Sequence, residues 1–155
     1  MSDSTPFSFT PEGGRLECSA FTKPFKALAV VLVSSALVWG WRMWADGVLE
    51  ASWRSSGWLL AALAMMAYTE WHILKGKTSL DSTTLKQSWM WNKQVSLQDL
   101  AYARLFRVRG LDWLIAPRLY VKTHSGKMAA FYAADPVMLA EFKRLEIELQ
   151  QKTAP

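Results

Sequence analysis

The chain has 155 residues, 51% of them hydrophobic and 20% charged, with a formal net charge of +5 and a mean hydropathy of +0.03. A single cysteine, Cys18, excludes a disulfide scaffold, and the apolar and aromatic content excludes a disordered chain. Nine tryptophans are many for this length, and six of them fall between Trp39 and Trp71.

The first 26 residues are largely polar. Within them, residues 7–10 (FSFT) and 15–21 (RLECSAF) are compatible with strands, joined by a Pro11-Glu12-Gly13-Gly14 turn. Two charge-free runs of fifteen residues follow, 27–41 (ALAVVLVSSALVWGW) and 55–69 (SSGWLLAALAMMAYT). At about 1.5 Å rise per residue each covers roughly 22 Å, short of the ~30 Å hydrocarbon core of a bilayer. Cations flank both runs: Lys23, Lys26 and Arg42 the first, Arg54 and Lys75 the second. Long cationic side chains bury their stems and lift the charge to the interface. Extended this way, segments 23–44 and 53–74 hold 22 residues each and are long enough to span.

A soluble hairpin whose two helices are buried core is the competing account. Against it, residues 58–68 are apolar at every position, which leaves no polar face for water. Aromatics also collect at the ends of the segments, as in interfacial belts. Phe21 and Phe25 open the first, and Trp39, Trp41 and Trp44 close it; Trp53 and Trp58 open the second, and Tyr68 and Trp71 close it. A cleaved signal peptide is disfavoured, because Arg42-Met43-Trp44 after the first run is no small-residue cleavage site. The expectation is a transmembrane helical hairpin. Arg15, Lys23 and Lys26 lie before it and Lys75, Lys77 and Lys86 after it, against Arg42 and Arg54 in the connection. By the positive-inside rule both termini are cytoplasmic.

From Lys75 the character changes: residues 75–134 hold ten Lys/Arg against three Asp/Glu. Residues 84–91 alternate, with Leu85, Gln87, Trp89 and Trp91 on one side and Lys86, Ser88 and Met90 on the other, which predicts a strand. Asn92-Lys93 makes a turn into 94–97, and 101–109 (AYARLFRVR) is a further strand closed by Gly110. Residues 118–123 and 128–132 form a hairpin around His124-Ser125-Gly126-Lys127. Asp135-Pro136 supplies an N-cap and a first helical residue. Met138, Phe142, Leu145 and Leu149 then make an apolar stripe on a helix over 136–151. The soluble part, 75–155, therefore reads as α+β, an antiparallel sheet or small barrel closed by a C-terminal helix. The N-terminal segment 1–22 is placed to add edge strands to it.

A hairpin followed by TSLDSTTLKQSWMWNKQVSLQDLAYARLF, a β-hairpin with HSGK, and a final ADPVMLAEFKRL helix resembles the bacterial PH-like membrane proteins. In that family a two-helix anchor precedes or interrupts a small pleckstrin-homology-like β-domain with a C-terminal helix. The resemblance covers roughly residues 5–150 and rests on element order and the phrase VSLQDLAYARL. It implies a bacterial inner-membrane location and a cytoplasmic interaction module with no inherited catalytic site.

Catalytic signals are sparse. His72, His124 and Cys18 lack ligand spacing, and no phosphate loop, nucleophile elbow or dinucleotide turn is present. No metal or cofactor is expected. Glu70 and His72, two apart on a helix, point to different sides and read better as interfacial side chains than as a site, with Glu70 expected to pair with Lys26. The basic set Lys93, Arg104, Arg107, Arg109, Arg118, Lys122 and Lys127 suits an anionic membrane surface. By parity Arg107 and Arg109 share one strand face and Arg104 the other. A solvated cationic surface and a headgroup-binding site both fit these residues. For Trp89 and Trp91, on one side of their strand, core packing and a partner-binding patch both stay open. The apolar stretch 111–115 (LDWLI), just before Pro117, has two placements open, the membrane interface or beneath the last helix.

The functional expectation is a non-enzymatic inner-membrane protein whose PH-like domain binds a membrane-protein partner or anionic lipid. Arg104, Arg107, Arg109, Arg118, Lys122, Trp89 and Trp91 are the candidate contacts. The alternative is an accessory or assembly subunit that meets a larger membrane complex through the hairpin. There Gly40, Ala61, Ala62, Ala64 and Ala67 permit close helix approach. Nucleic acid is not expected as a partner, since the anchor does not suit it.

Overall fold

A computed structural model describes residues 7–48 and 53–153. Among the described residues the chain is α+β, with two antiparallel sheets and three α-helices. The first sheet has the order β1-β2-β3-β4, from Arg15–Ser19, Lys77–Asp81, Thr84–Ser88 and Lys93–Ser96. The second has the order β5-β6-β7, from Leu100–Phe106, Arg118–Thr123 and Met128–Tyr132. A 3-10 turn, Leu97–Asp99, carries the chain from one sheet to the other.

The two long helices, α1 (Lys23–Ala45) and α2 (Trp53–Lys75), are inserted between β1 and β2. These strands are direct neighbours, with Ser19 opposite Lys77, and Ala20 N–H donates to the Gly76 carbonyl at 3.0 Å. Both helices therefore leave the sheet side by side at one end of a two-strand ladder. Thr22 caps α1: its hydroxyl accepts from Phe25 N–H at 3.3 Å, and Pro24 fits the first turn. Lys26 Nζ donates to the Leu74 carbonyl at 2.8 Å, so a cation of α1 satisfies the C-terminal end of α2. Gly76 is needed where α2 passes into β2. A Cβ there would lie 3.1 Å from the Phe21 ring and 3.2 Å from the His72 carbonyl oxygen.

Only Val33 and Gly40 of α1 are buried. Gly40 faces α2, where an added Cβ would meet Leu63 at 3.1 Å. Among the described residues, α1 is the helix long and apolar enough to cross a membrane by length and composition. α2 is equally long, 23 residues, but less apolar, and it does not reach that mark.

The β-domain has its own core between the sheets and the last helix, α3 (Pro136–Thr153). Leu80 and Leu85 come from the first sheet, Ala103, Leu119, Val121 and Phe131 from the second, and Met138, Phe142, Leu145 and Leu149 from the stripe of α3. Asp135 caps α3, its carboxylate accepting from Val137 N–H at 2.8 Å. The N-terminal segment contributes β1 and two core side chains, Phe7 and Phe9, although residues 7–11 form no strand. Arg144 fastens it to α3. The guanidinium donates to the Thr10 carbonyl, lies 4.7 Å from the Phe9 ring centre, and bonds Glu141 and Glu148 at 3.1 Å.

Two expectations about elements are corrected, and one element is new. The strand predicted over 84–91 ends at Ser88, because the chain bends through 89–92 to reverse into β4. The strand predicted over 101–109 ends at Phe106, and residues 107–117 form a turn-rich loop. That loop is closed by Ile115 N–H to the Leu111 carbonyl at 2.7 Å, with Gly110 at a φ of 88°. β2, polar in sequence, was not foreseen, yet it is the strand that joins β1 to β3.

Candidate functional site

Alternation along the second sheet sends Ala103, Leu119, Val121 and Phe131 inward and leaves nine side chains on its outer face. The register arranges them in three cross-strand rows. Tyr102, Lys122 and Met128 form the row farthest from the helices, Arg104, Tyr120 and Ala130 the middle one, and Phe106, Arg118 and Tyr132 the nearest. Tyr132 fixes that direction, because its ring stacks on Phe21 at 5.8 Å, just before α1.

The face is both basic and aromatic. Tyr102, Phe106 and Tyr120 are each more than 40% exposed, and Arg104 and Lys122 are also exposed. Arg118 is half-buried among rings. Its guanidinium carbon lies 5.8 Å from the Phe106 and Tyr132 centres and 6.0 Å from that of Tyr120, and it donates to the Tyr120 hydroxyl at 3.3 Å. Such stacking holds a guanidinium in place while its remaining N–H groups stay available to an acceptor. Arg104, opposite Tyr120, stands diagonally between Arg118 and Lys122. No Asp or Glu belongs to the nine positions. The arrangement can bind an anion of phosphate size and geometry by bidentate donation.

The structure does not bring all the sequence candidates together. Arg104, Arg118 and Lys122 share the outer face. Arg107 and Arg109 do not lie on a strand face; both are exposed in the 107–117 loop. Trp89 and Trp91 do not form a pair on one strand, since both lie past its end. Trp89 is half-buried, edge-on to Phe21 at 5.6 Å, whereas Trp91 is 70% exposed. Phe21, assigned to an interfacial belt, is buried where Phe25, Trp89 and Tyr132 meet. Lys26 bonds Leu74 and makes no ion pair with Glu70 among the described residues. Ala61, Ala62, Ala64 and Ala67 are exposed on α2, while Gly40 is used inside the pair. Tyr102, Phe106, Tyr120 and Tyr132 were missed as parts of the site. The signal lay in the alternation of AYARLF, RLYVKT and MAAFY, which puts each of them on the side opposite the core.

Among the described residues, no group of three or more His, Cys, Asp or Glu is placed to hold a metal. Burial pushes the Cys18 thiol up to about 11, so at neutral pH it stays protonated and a poor nucleophile. The Glu17 carboxyl lies below its ordinary value because Lys77 Nζ donates to it at 2.7 Å. Two buried groups, the Gln87 side-chain amide and the Trp89 indole N–H, have no hydrogen-bond partner among the described residues.

Compared with known proteins, the chain matches no family model, no curated protein and no solved structure. Its class is thus set by its own architecture: an α+β domain, two antiparallel sheets with a closing helix, interrupted by an apolar helical pair.

Proposed function

We propose that α1 and α2 form a two-pass hairpin in a bacterial inner membrane, with both termini cytoplasmic. In this reading the β-domain is a PH-like, non-enzymatic module that binds anionic lipid headgroups or an acidic surface of a membrane-protein partner. The order of elements supports it: a four-strand meander, a three-strand meander and one closing helix, with the hairpin inserted after β1. The outward apolar surface of α1 supports the anchor, with Val31, Leu32 and Val38 all more than half exposed.

The observation that carries the binding role is the outer face of β5–β7. It gathers Arg104, Arg118 and Lys122 with exposed aromatics and no carboxylate, and its Arg118 row adjoins the feet of the helices. A cation near an anionic leaflet contributes about 1 kcal/mol, so the three together favour headgroup binding by on the order of 100-fold.

Full-length protein in nanodiscs tests the reading. Native mass spectrometry is expected to find phosphatidylglycerol retained over phosphatidylethanolamine, and the Arg104→Ala, Arg118→Ala, Lys122→Ala triple variant to lose that preference. Equal retention by the wild type and the triple variant would remove the face as a lipid site. Reporter fusions that place residue 155 on the periplasmic side would overturn the topology.

A further inference from the structure

The end of the β-domain nearest the helices carries two loops that the binding face does not use, 89–92 and 107–117. Both present tryptophan outward: Trp91 is 70% exposed and Trp113 is 62% exposed. Both are tied to the residues from which α1 starts. Trp89, two positions before Trp91, packs against Phe21. In the second loop, the Leu114 carbonyl accepts from the hydroxyl of Thr22, the cap of α1, at 2.7 Å. Asp112 and Trp113 border a cleft of about 450 Å³ with Thr22, Lys23 and Pro24, so Trp113 stands beside the first turn of that helix. At the same end, Trp71 of α2 is 56% exposed with Lys75 Nζ 3.8 Å above its ring centre.

These rings are exposed around the helix feet and come with cations. Lys23, Lys75, Arg107 and Arg109 are exposed there, and Lys93 follows the first loop. Exposed indole beside Lys and Arg suits the headgroup region, where an apolar ring body and a polar N–H are both satisfied. Leu111, 40% exposed, adds to the apolar tip of the longer loop. That loop is braced by its own hydrogen bonds, Leu114 and Ile115 N–H to the Leu111 carbonyl, so its tip is presented in a set shape.

We propose that loops 89–92 and 107–117 insert Trp91 and Trp113 into the interface of the leaflet that α1 enters, holding the β-domain against the bilayer in one orientation. The inference rests on the membrane-anchor reading above and gives Arg107 and Arg109 a role separate from the sheet face. The Thr22–Leu114 bond sets the depth of the longer loop, because it joins that loop to the residue where α1 begins.

The test uses the full chain with Cys18→Ala and one new cysteine at a time: Asn92→Cys, Asp112→Cys, Lys127→Cys or Val31→Cys. Each carries an environment-sensitive fluorophore in vesicles of phosphatidylethanolamine and phosphatidylglycerol with nitroxide lipids. Lys127, in the β6–β7 hairpin, is at the opposite end of the sheet from Arg118. Expected is several-fold stronger quenching by a shallow nitroxide at 92 and 112 than at 127, with 31 quenched by a deep one. If 31 is quenched but 92 and 112 match 127, the docking is wrong and the anchor stands. If 31 is not quenched, the anchor reading fails and the docking fails with it. Trp91→Ser with Trp113→Ser is expected to reduce quenching at 92 and 112 to the level at 127 without changing 31. Unchanged quenching in that variant would exclude the two rings as the inserting groups.

Discussion

The helical pair and the β-domain use the same apolar residue types in opposite directions. In the β-domain, Leu80, Leu85, Leu119, Phe131 and Phe142 are fully enclosed between sheets and helix. In α1, Leu32, Val31, Val38 and Trp41 are more than half exposed, and only two residues of the helix are buried. Two helices packed along one line cannot cover each other on all sides. Their remaining apolar surface is left uncovered by the described residues. The lesson is that an average hydropathy near zero here joins a part that is apolar inside to a part that is apolar outside.

The strongest way to break that contrast is to truncate on both sides of it. Phe142→Ala empties an enclosed site and is expected to cost the β-domain about 3–5 kcal/mol. Leu32→Ala, on an exposed site of α1, is expected to cost under about 1 kcal/mol. Denaturant titration of the full chain in detergent, followed by near-ultraviolet circular dichroism, compares them, and equal losses would erase the distinction. A charge probes what meets the outer surface of α1. Under the membrane reading Val31→Lys carries an insertion penalty of about 2.5–3.5 kcal/mol and shifts protein out of the carbonate-resistant membrane fraction. Tyr102→Lys, exposed on the sheet, is expected to leave that fraction unchanged.

Two smaller effects sharpen the picture of the β-domain alone. Gln87 is 2% exposed, and neither polar atom of its side chain has a partner among the described residues. Gln87→Met keeps the volume and removes the unmet polar groups, so a gain of about 1 kcal/mol in unfolding free energy is expected. A loss would mean the amide is satisfied in solution. Asp81 in the β2–β3 turn accepts from Thr83 N–H, Thr84 N–H and both hydroxyls, at 2.8 to 3.0 Å. These bonds, led by Thr83 N–H, hold its carboxyl at about 2 against an ordinary 3.8. A depressed folded value means that the stabilisation is present above pH 3.8 and lost as pH falls toward 2. Asp81→Ala is expected to cost about 1 kcal/mol at neutral pH and progressively less as pH falls through the folded value, so the two denaturation curves should converge on acidification.

Local rules carried well where one face of an element is buried. The stripe Met138, Phe142, Leu145, Leu149 and the Asp135 cap were legible because helix period and capping chemistry depend on neighbours in sequence. Alternation also separates Leu119 and Val121 from Tyr120 and Lys122 in the structure, a signal present in RLYVKT that was not used to find Tyr120. It failed at strand ends. Nothing in FRVR says that pairing with β6 stops at Phe106, because the partner of that residue, Arg118, is the first residue of β6. Trp89 and Trp91 were misjudged for the same reason: once the strand ends, parity no longer predicts direction. β2 was missed because KTSLD shows its apolar content only at Leu80, while Thr78 is buried by a hydrogen bond to the Tyr132 carbonyl at 2.5 Å.

The sequence by itself determined the two long apolar helices, the basic character of the chain after Lys75, and the amphipathic last helix. Each follows from composition or from a period read within a few turns. Only the tertiary structure decided that the helices interrupt an antiparallel ladder between β1 and β2, strands separated by more than fifty residues of sequence. It also decided that Arg104, Arg118 and Lys122 share a face from which Arg107 and Arg109 are absent. Those outcomes depend on which strands pair and where pairing stops, and hydrogen bonds between distant segments leave no local period to read.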